Sequence, residues 1–294
     1  VNVSKVVNNL ITISKLVPLA LFIAIGIFFI NGANFTPVFP QDTYIDGSFA
    51  QAAVLLFFAY TGFEVIAIAA EDMKNPKKNL PRAIIMCMLI VSVLYMAILA
   101  VSIGVLGLDL ANTKAPVQDA FNVIVGPIGM YIVLAGTLIS MGGINFAEAY
   151  YAPRIATSMA EDGMLPSALA KRNRYNAPYV SAIVTAIASV LLAWSGSFTT
   201  LAAISAVSRF TQYLPTCLAV IIFRHKWADK ERSYTIPGGY TIPVIAIGTS
   251  LWMLWQAQPN QLLWGLGGCI VILPLYVWYW RKKKAGLIKE KEDI

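Results

Sequence analysis

Long apolar stretches, separated by short polar and basic segments, organise the whole chain. A helix needs about 20 apolar residues to cross roughly 30 Å of hydrocarbon, and eight stretches approach or reach that length. They lie at 10–30, 49–70, 83–106, 128–150, 180–194, 201–223, 242–255 and 262–280, and the fifth and seventh are short. The pattern predicts an all-α integral membrane protein with about eight transmembrane helices, in a single transmembrane domain over residues 1–294.

Composition supports this class and excludes others. Apolar residues make up 58% of the chain and charged residues 13%, whereas charged residues make up roughly a quarter of a soluble domain. His225 is the single histidine, so neither a zinc site nor histidine-based catalysis has the residues it needs. We therefore expect no metal, no cofactor and no enzymatic activity.

Basic residues concentrate on one side of the predicted membrane. If the first stretch starts in the cytoplasm, 19 of the 22 Lys and Arg residues fall in loops or tails on that side, and Lys114 alone falls in an outer loop. This is the bias of the positive-inside rule. It predicts that both ends of the chain are cytoplasmic, and that the net charge of +7 reflects topology rather than nucleic-acid binding.

The second stretch contains the most informative motif, Phe58-Ala-Tyr-Thr-Gly-Phe-Glu64. A glycine and a carboxylate inside a membrane-length stretch weaken the helix and cost free energy, so they usually mark a solute or ion site. The simpler alternative is that Glu64 faces a water-filled vestibule and has no role in coupling. The motif predicts a transporter.

Lys15 and Arg209 are the two cations inside predicted spans. A charge at mid-bilayer costs about 2.5 to 3.5 kcal/mol on insertion scales. Arg209 lies roughly 15 Å from the outer end of its span; it forms a structural ion pair or carbonyl clamp, or takes part directly in substrate or proton coupling. Gln212, at i+3, shares its face. Lys15 is close enough to the inner end to snorkel. Glu64 has a comparable depth, which leaves open a contact with Lys15.

Four segments resemble the amino acid/polyamine/organocation superfamily of amino acid permeases, which share the leucine-transporter fold. Asn9-Leu-Ile-Thr-Ile-Ser-Lys15-Leu is similar to the fifth helix of that family. The motif at 58–64, with Glu71 and residues 75–84, is similar to the broken sixth helix and the loop after it. This second match is the strongest.

The other two segments lie further along the chain. Ser140-Met-Gly-Gly143, with Arg154 and residues 160–166, is similar to the eighth helix and its cytoplasmic extension. Thr157 and Glu161 stand where the family often has a tyrosine and a second basic residue. Residues 201–214 and 237–243 are similar to helix ten and the start of helix eleven.

The resemblance implies an incomplete inverted-repeat bundle. It covers helices five to twelve of the usual twelve, so we expect a chain truncated at its N-terminus that lacks the first four helices. Helices eleven and twelve would lie outside the repeats and provide a candidate homodimer surface. The tryptophans of that surface are Trp252, Trp255, Trp278 and Trp280.

By resemblance, the break in helix six is the substrate site. The carbonyl groups that end its first half carry the negative end of the helix dipole and attract an ammonium group. The main chain of Phe58, Ala59 and Thr61 would accept hydrogen bonds from the substrate's α-amino group, and the Phe58 ring would act as a gate or, alternatively, is an ordinary core aromatic. The implied site residues are Phe58, Ala59, Thr61, Gly62, Ile144 and Ser205.

The resemblance also gives roles to the ionisable residues. Lys15 aligns with a helix-five lysine that occupies the place of a sodium ion in sodium-driven relatives, with Ser140 as a neighbour, which implies sodium-independent transport. Glu64 is the candidate proton carrier, although burial and a nearby lysine shift its protonation in opposite directions. Arg209 completes the implied coupling group.

These observations together predict a secondary active transporter that moves amino acids across the plasma membrane by alternating access. It would be a proton symporter or an exchanger, with an amino acid as its small-molecule substrate and with protons and the lipid bilayer as further partners. An amino-acid sensor that binds without transport is the main alternative. A channel would need a continuous polar stripe, and an enzyme would need a nucleophile and base at a workable spacing.

Overall fold

The computed structural model describes residues 2–36, 48–64, 66, 73–230, 232 and 234–284. Within these residues the chain forms nine α-helices and no strand, which confirms the all-α prediction. The helices are α1 Asn2–Gly26, α2 Ser48–Ala59, α3 Pro76–Leu106, α4 Pro116–Val125, α5 Pro127–Glu161, α6 Tyr179–Ser195, α7 Phe198–Lys226, α8 Thr241–Gln256 and α9 Pro259–Lys284.

Seven of the eight predicted apolar stretches coincide over most of their length with one of these helices. Helix α2 covers only the first half of the second stretch, 49–70, and residues 65 and 67–70 of that stretch lie outside the described residues. Four helical segments of the described chain are long and apolar enough to cross a membrane, namely Ile11–Phe29, Pro76–Asn112, Pro127–Glu161 and Phe198–Lys226. Three shorter apolar helices are Ser48–Ala59, Tyr179–Ser195 and Thr241–Gln256. The ten-residue helix α4 was not predicted, because Gln118, Asp119 and Asn122 interrupt its apolar residues.

Helix α5 extends well beyond its predicted apolar span, to Glu161. The two residues that depart from the family pattern hold this extension to the chain that follows. The Thr157 hydroxyl is buried and lies 3.0 Å from the Ser181 hydroxyl, which donates to the Leu169 carbonyl at 2.7 Å. Glu161 forms a surface ion pair with Arg172 at 2.9 Å. Both departures therefore have structural partners.

The chain divides into two compact units. The first comprises residues 1–44 and 88–151, and the second comprises residues 45–87 and 152–294. The core of the first unit consists of Phe22, Val101, Ala120, Phe121 and Val133. The rings of Phe22 and Phe121 meet edge to face with their centroids 5.7 Å apart, a favoured arrangement for aromatic pairs.

Helices α1 and α5 approach closely within the first unit because two glycines of α5 face α1. A Cβ atom on Gly143 would lie 2.5 Å from the Ile11 side chain, and one on Gly136 would lie 2.7 Å from Pro18. The two contacts run in opposite directions along the helices, so α1 and α5 pass antiparallel. By this register Lys15 lies at the level of Ser140.

Helix α7 is the centre of the second unit and packs against α2, α8 and α9. It begins after Ser197, whose hydroxyl accepts a hydrogen bond from the Thr200 amide at 3.3 Å, as N-cap residues do. A small core forms where Val54 of α2 meets Ala203 and Ala206. Small residues at these positions let the α2 and α7 backbones come close.

Candidate functional site

Helix α2 ends at Ala59, within the motif at 58–64 that resembles the broken sixth helix of the family. The chain then turns: the Tyr60 amide donates to the Phe57 carbonyl at 3.1 Å, and the Thr61 amide donates to the Phe58 carbonyl at 3.0 Å. Gly62 has φ = 106°, a conformation that glycine adopts without the strain a side chain would bring. Thus Gly62 permits the turn that stops the helix.

Thr61 covers the end of α2. Its hydroxyl donates to the Phe58 carbonyl at 2.7 Å, in addition to the bond from its own amide. A carbonyl oxygen has two lone pairs, so both acceptor sites of the Phe58 carbonyl are occupied. In this conformation an ammonium group would have to replace the Thr61 hydroxyl to bind there.

The Glu64 carboxylate connects the turn to α7. Its Oε2 accepts from the Gly62 amide at 2.9 Å and from the Tyr213 hydroxyl at 3.1 Å. Its Oε1 lies 2.5 Å from Nη1 of Arg209, although this contact lacks the alignment of a hydrogen bond, since Oε1 has no hydrogen-bond partner in the described chain. We call Gly62, Glu64, Arg209 and Tyr213 the Glu64 cluster.

Aromatic rings pack around the Glu64 cluster. Phe57 stacks on Phe210 with centroids 4.8 Å apart, and Phe63 stacks on Tyr213 at 5.8 Å. The edge of the Tyr213 ring also meets Phe57, at 5.9 Å. Positions 206, 209, 210 and 213 share one face of a helix. The same face of α7 therefore supplies small residues for close packing, rings for stacking and the charge that pairs with Glu64.

The sequence left two roles open for Arg209, and the structure gives it an ion-pair partner in Glu64. The Glu64 side chain is 15% exposed and that of Arg209 is 37% exposed. Each charge lowers the cost of placing the other inside a span. The ion pair is compatible with a role in coupling and does not by itself establish one.

Sequence reasoning missed the Glu64–Arg209 contact and the part played by Tyr213. It compared depths along continuous helices and so considered Lys15 for Glu64. Helix α2 stops at Ala59, however, and the turn places the carboxylate against α7. A signal was present in the sequence, because Glu64 and Arg209 are opposite charges within two predicted spans.

The other predicted site residues lie in different parts of the structure. Phe58 packs against the Val54, Ala203 and Ala206 core and meets Phe198 edge to face at 6.2 Å, so its ring makes the contacts of a core aromatic. Lys15 lies on α1 and is half-buried, while Ser140 and Ile144 lie on α5. These last three belong to the first unit. Glu71 lies outside the described residues.

Ser205 lies on α7, one turn before Arg209. Both line an open pocket of about 340 Å³ between α7 and α9, as does Gln212, which the sequence predicted to share the face of Arg209. The full lining is Ser205, Ser208, Arg209, Thr211, Gln212, Gly265 and Gly268. Among the described residues, no group of three or more His, Cys, Asp or Glu side chains is arranged to hold a metal ion.

Comparison with known proteins gives consistent matches. A family model described as amino acid permease matches residues 1–279. The branched-chain amino acid permease BcaP of Bacillus subtilis is 30% identical over 290 residues, which cover 95% of this chain and 60% of that protein. The methylthioribose transporter of the same organism is 29% identical over 250 residues, covering 85% and 54%.

A third relative is the serine/threonine exchanger SteT of Bacillus subtilis, 27% identical over 284 residues that cover 95% of this chain and 64% of the exchanger. The chain thus spans between about half and two thirds of the length of these relatives. All three are transporters by name, which gives no support to the sensor alternative or to an enzyme. With a family match over nearly its whole length, the chain belongs to the amino acid permease family of the amino acid/polyamine/organocation superfamily and is an integral membrane protein.

Proposed function

We propose that this protein is a secondary active transporter that moves amino acids across the plasma membrane by alternating access. Membership of the permease family supports the substrate class, and the names of two relatives specify branched-chain amino acids and serine or threonine. The observation that carries the proposal is the end of α2 at Ala59, inside the second predicted span and beside a paired carboxylate. An interrupted helix of this kind is the usual place for a solute site in such transporters.

The substrate's α-amino group would bind at the carbonyl end of α2. The last carbonyl groups of a helix carry partial negative charge; those of Phe58 and Ala59 end α2, and that of Thr61 lies in the turn that follows. Because the Thr61 hydroxyl already bonds to the Phe58 carbonyl, the ammonium group would take its place. Gly62 gives the turn the freedom to adjust, and movement of the Phe58 ring from its core contacts would open or close the site.

The side-chain pocket would be neutral or moderately apolar. Ile144 and Ser205 are the proposed contributors beyond the break, and neither carries a charge. A substrate with a small aliphatic or hydroxylated side chain fits such a lining. Cationic substrates would need an acidic residue that these positions do not provide.

Transport would not require sodium. The basis is Lys15, whose ammonium group would occupy the position of a bound sodium ion. The antiparallel register of α1 and α5 supports Ser140 as its neighbour, since the contacts of Gly136 and Gly143 bracket that level. A fixed positive charge at this point would perform the electrostatic role of the ion.

Coupling would act through Glu64 and Arg209, either in proton symport or in exchange. Proton binding to Glu64 removes the negative partner of Arg209 and weakens the contact that joins the turn to α7. In this proposal the protonation of Glu64 and the position of the helix break are linked. A Glu64→Gln protein that still concentrates substrate against its gradient would show that Glu64 is not the proton carrier.

An orientation and an assembly are also proposed. Both ends of the chain would lie in the cytoplasm, as the distribution of Lys and Arg predicts. Exposed tryptophans on α8 and α9 support a homodimer surface: Trp252, Trp255 and Trp280 are 42%, 87% and 50% exposed. The side chain of Trp278 lies outside the described part of the structure. Mass measurement of the detergent-solubilised protein tests the dimer.

The deciding experiment is uptake into liposomes that contain the full-length protein. A panel of labelled amino acids is measured under a pH gradient, with and without sodium. Concentrative uptake without sodium is the expected result. A folded protein that binds amino acids but moves none of them, under either gradient or in exchange for internal amino acid, would overturn the proposal in favour of a sensor.

A further inference from the structure

The open pocket between α7 and α9 has a composition that a membrane span does not normally offer to lipid. Five of its seven lining residues are polar and come from α7, and the other two are glycines of α9. Hydroxyl, amide and guanidinium groups inside a membrane segment almost always face a cavity or a functional pathway. The pocket therefore presents polar groups to an occupant alongside apolar surface.

The two glycines have different surroundings. A Cβ on Gly265 would lie 2.7 Å from the Val207 side chain and 3.0 Å from the Ile204 carbonyl, so α9 touches α7 at this point. A Cβ on Gly268 would meet nothing within 4 Å. Gly265 thus fixes the approach of the two helices, while Gly268, three residues later, leaves the pocket open.

The hydroxyl groups of Ser208 and Thr211 are already used as donors. Ser208 donates to the Ser205 carbonyl at 2.8 Å and Thr211 donates to the Ser208 carbonyl at 2.7 Å. Bonds of this kind to the preceding turn satisfy serine and threonine hydroxyls inside helices. These two side chains line the pocket without requiring a ligand.

Arg209 is different, because its guanidinium has an ion-pair partner in Glu64 but no hydrogen bond to another of the described residues. A guanidinium group has five N–H donors and no acceptor. Its close contact with Glu64 Oε1 is an ion pair without an aligned hydrogen bond, and its side chain is 37% exposed and lines the pocket. Gln212 adds an amide donor one turn further on. Polar donors left without acceptors in a span cost free energy. A hydrogen-bond acceptor bound in the pocket would therefore be stabilised by these donors.

We propose that the pocket between α7 and α9 is a binding site for the carboxylate group of a small solute, separate from the α2 break. The guanidinium of Arg209 donates to the carboxylate, the amide of Gln212 donates a further hydrogen bond, and the volume of about 340 Å³ accommodates a solute of amino acid size. Planar guanidinium groups pair well with carboxylates. Amino acids and simple carboxylic acids share this chemistry.

Binding at this site has a consequence for the Glu64 cluster. A bound carboxylate would share Arg209 with Glu64, which weakens the attraction between the turn and α7. The ligand in this pocket therefore loosens the contact that holds the helix break. A solute molecule bound in this pocket can therefore affect binding at the proposed substrate site, the α2 break.

The test uses two glycines of α9 as a matched pair. Gly267 and Gly268 both have open space at the Cβ position, but Gly268 lines the pocket and Gly267 does not. The full-length protein and its Gly268→Leu and Gly267→Leu variants are titrated with isovalerate, leucine and isobutylamine by calorimetry. The amine lacks the carboxylate and isovalerate lacks the amino group, so the three probes separate the two ends of an amino acid.

The expected result is isovalerate binding that Gly268→Leu weakens by roughly tenfold or more, because its side chain fills the pocket, and that Gly267→Leu leaves unchanged. Gln212→Leu, on the opposite wall, should weaken the same binding, and it provides a second test if the glycine variant does not fold. Leucine should then occupy two sites, of which Gly268→Leu removes one. If leucine fills the pocket and isovalerate does not, an intact amino acid is required there and the carboxylate proposal is wrong.

Equal isovalerate affinity in all folded variants, or no isovalerate binding at all, would also overturn the proposal. These outcomes are independent of transport. If the protein moves no amino acid but binds isovalerate in a Gly268-dependent way, the carboxylate site is supported and the proposed transport function is wrong. If the protein takes up amino acids but does not bind isovalerate, transport is supported and the carboxylate site is wrong.

Discussion

Helix α7 presents two faces that share Arg209 but differ in their contacts. Towards α2, rings of Phe57 and Phe63 stack on Phe210 and Tyr213, and Glu64 meets Arg209 and Tyr213. Towards α9, a close contact at Gly265 gives way to an open pocket at Gly268. Arg209 belongs to both. The partner helix, and not the α7 sequence alone, therefore decides whether a polar face is filled.

The largest effect should come from removing the charge that the two faces share. Arg209→Leu leaves the Glu64 carboxylate, 15% exposed, without its cation. Breaking a buried pair costs about 3–5 kcal/mol, and since Arg209 is more than one-third exposed we expect about 2 kcal/mol after solvent screening. Thermal unfolding in detergent measures the loss.

The control for that variant is Arg209→Leu combined with Glu64→Gln, which removes both charges. It should recover most of the lost stability, because no unpaired charge remains in the span. Equal stability losses in the single and double variants would mean that the ion pair contributes little and that Arg209 acts through packing alone.

The second effect concerns the α9 face. Gly265→Ala places a methyl group against Val207 and the Ile204 carbonyl, and overpacking of this kind costs about 1–3 kcal/mol. Gly268→Ala, where the added methyl meets open space, should leave the unfolding temperature nearly unchanged. Similar losses for the two glycines would contradict the division of the face into a contact and a pocket.

A smaller effect is expected at Tyr213 on the α2 face. Tyr213→Phe removes the hydroxyl that donates to Glu64 Oε2 and keeps the ring that stacks on Phe63. Loss of a hydrogen bond to a charged group costs about 1.5 kcal/mol. Thermal unfolding should show this loss in the native protein but not in a Glu64→Gln, Arg209→Leu background if the bond to the carboxylate is responsible.

The smallest effect tests the cap on α2. Thr61→Val removes the hydroxyl that occupies the Phe58 carbonyl and frees that acceptor for an ammonium group. If the proposed substrate site is correct, leucine should bind the full-length protein roughly threefold more tightly. Thr61→Ser retains the hydroxyl and should match the native affinity. Weaker binding in Thr61→Val would instead assign the hydroxyl to the substrate.

The sequence predicted most of the fold because membrane-spanning segments are specified locally. Seven of the eight apolar stretches are helical over most of their length, and the second is helical to Ala59, within three residues of the Gly62 signal. Helix α4 was not predicted, because polar residues interrupt its run of apolar residues. The residues of the candidate site were identified in part, since Glu64, Arg209 and Gln212 were recognised, but the contacts among them were not.

By itself, the sequence determined the class of the protein, most of its helices and its family, because lipid forces each span to satisfy its backbone hydrogen bonds within one apolar helix. Tertiary structure alone decided the partner of Glu64, the role of Tyr213 and the pocket at Gly268. These depend on how one helix approaches another and on where a chain turns after unwinding. A residue's depth along the chain cannot specify either, since both are set by packing between segments far apart in sequence.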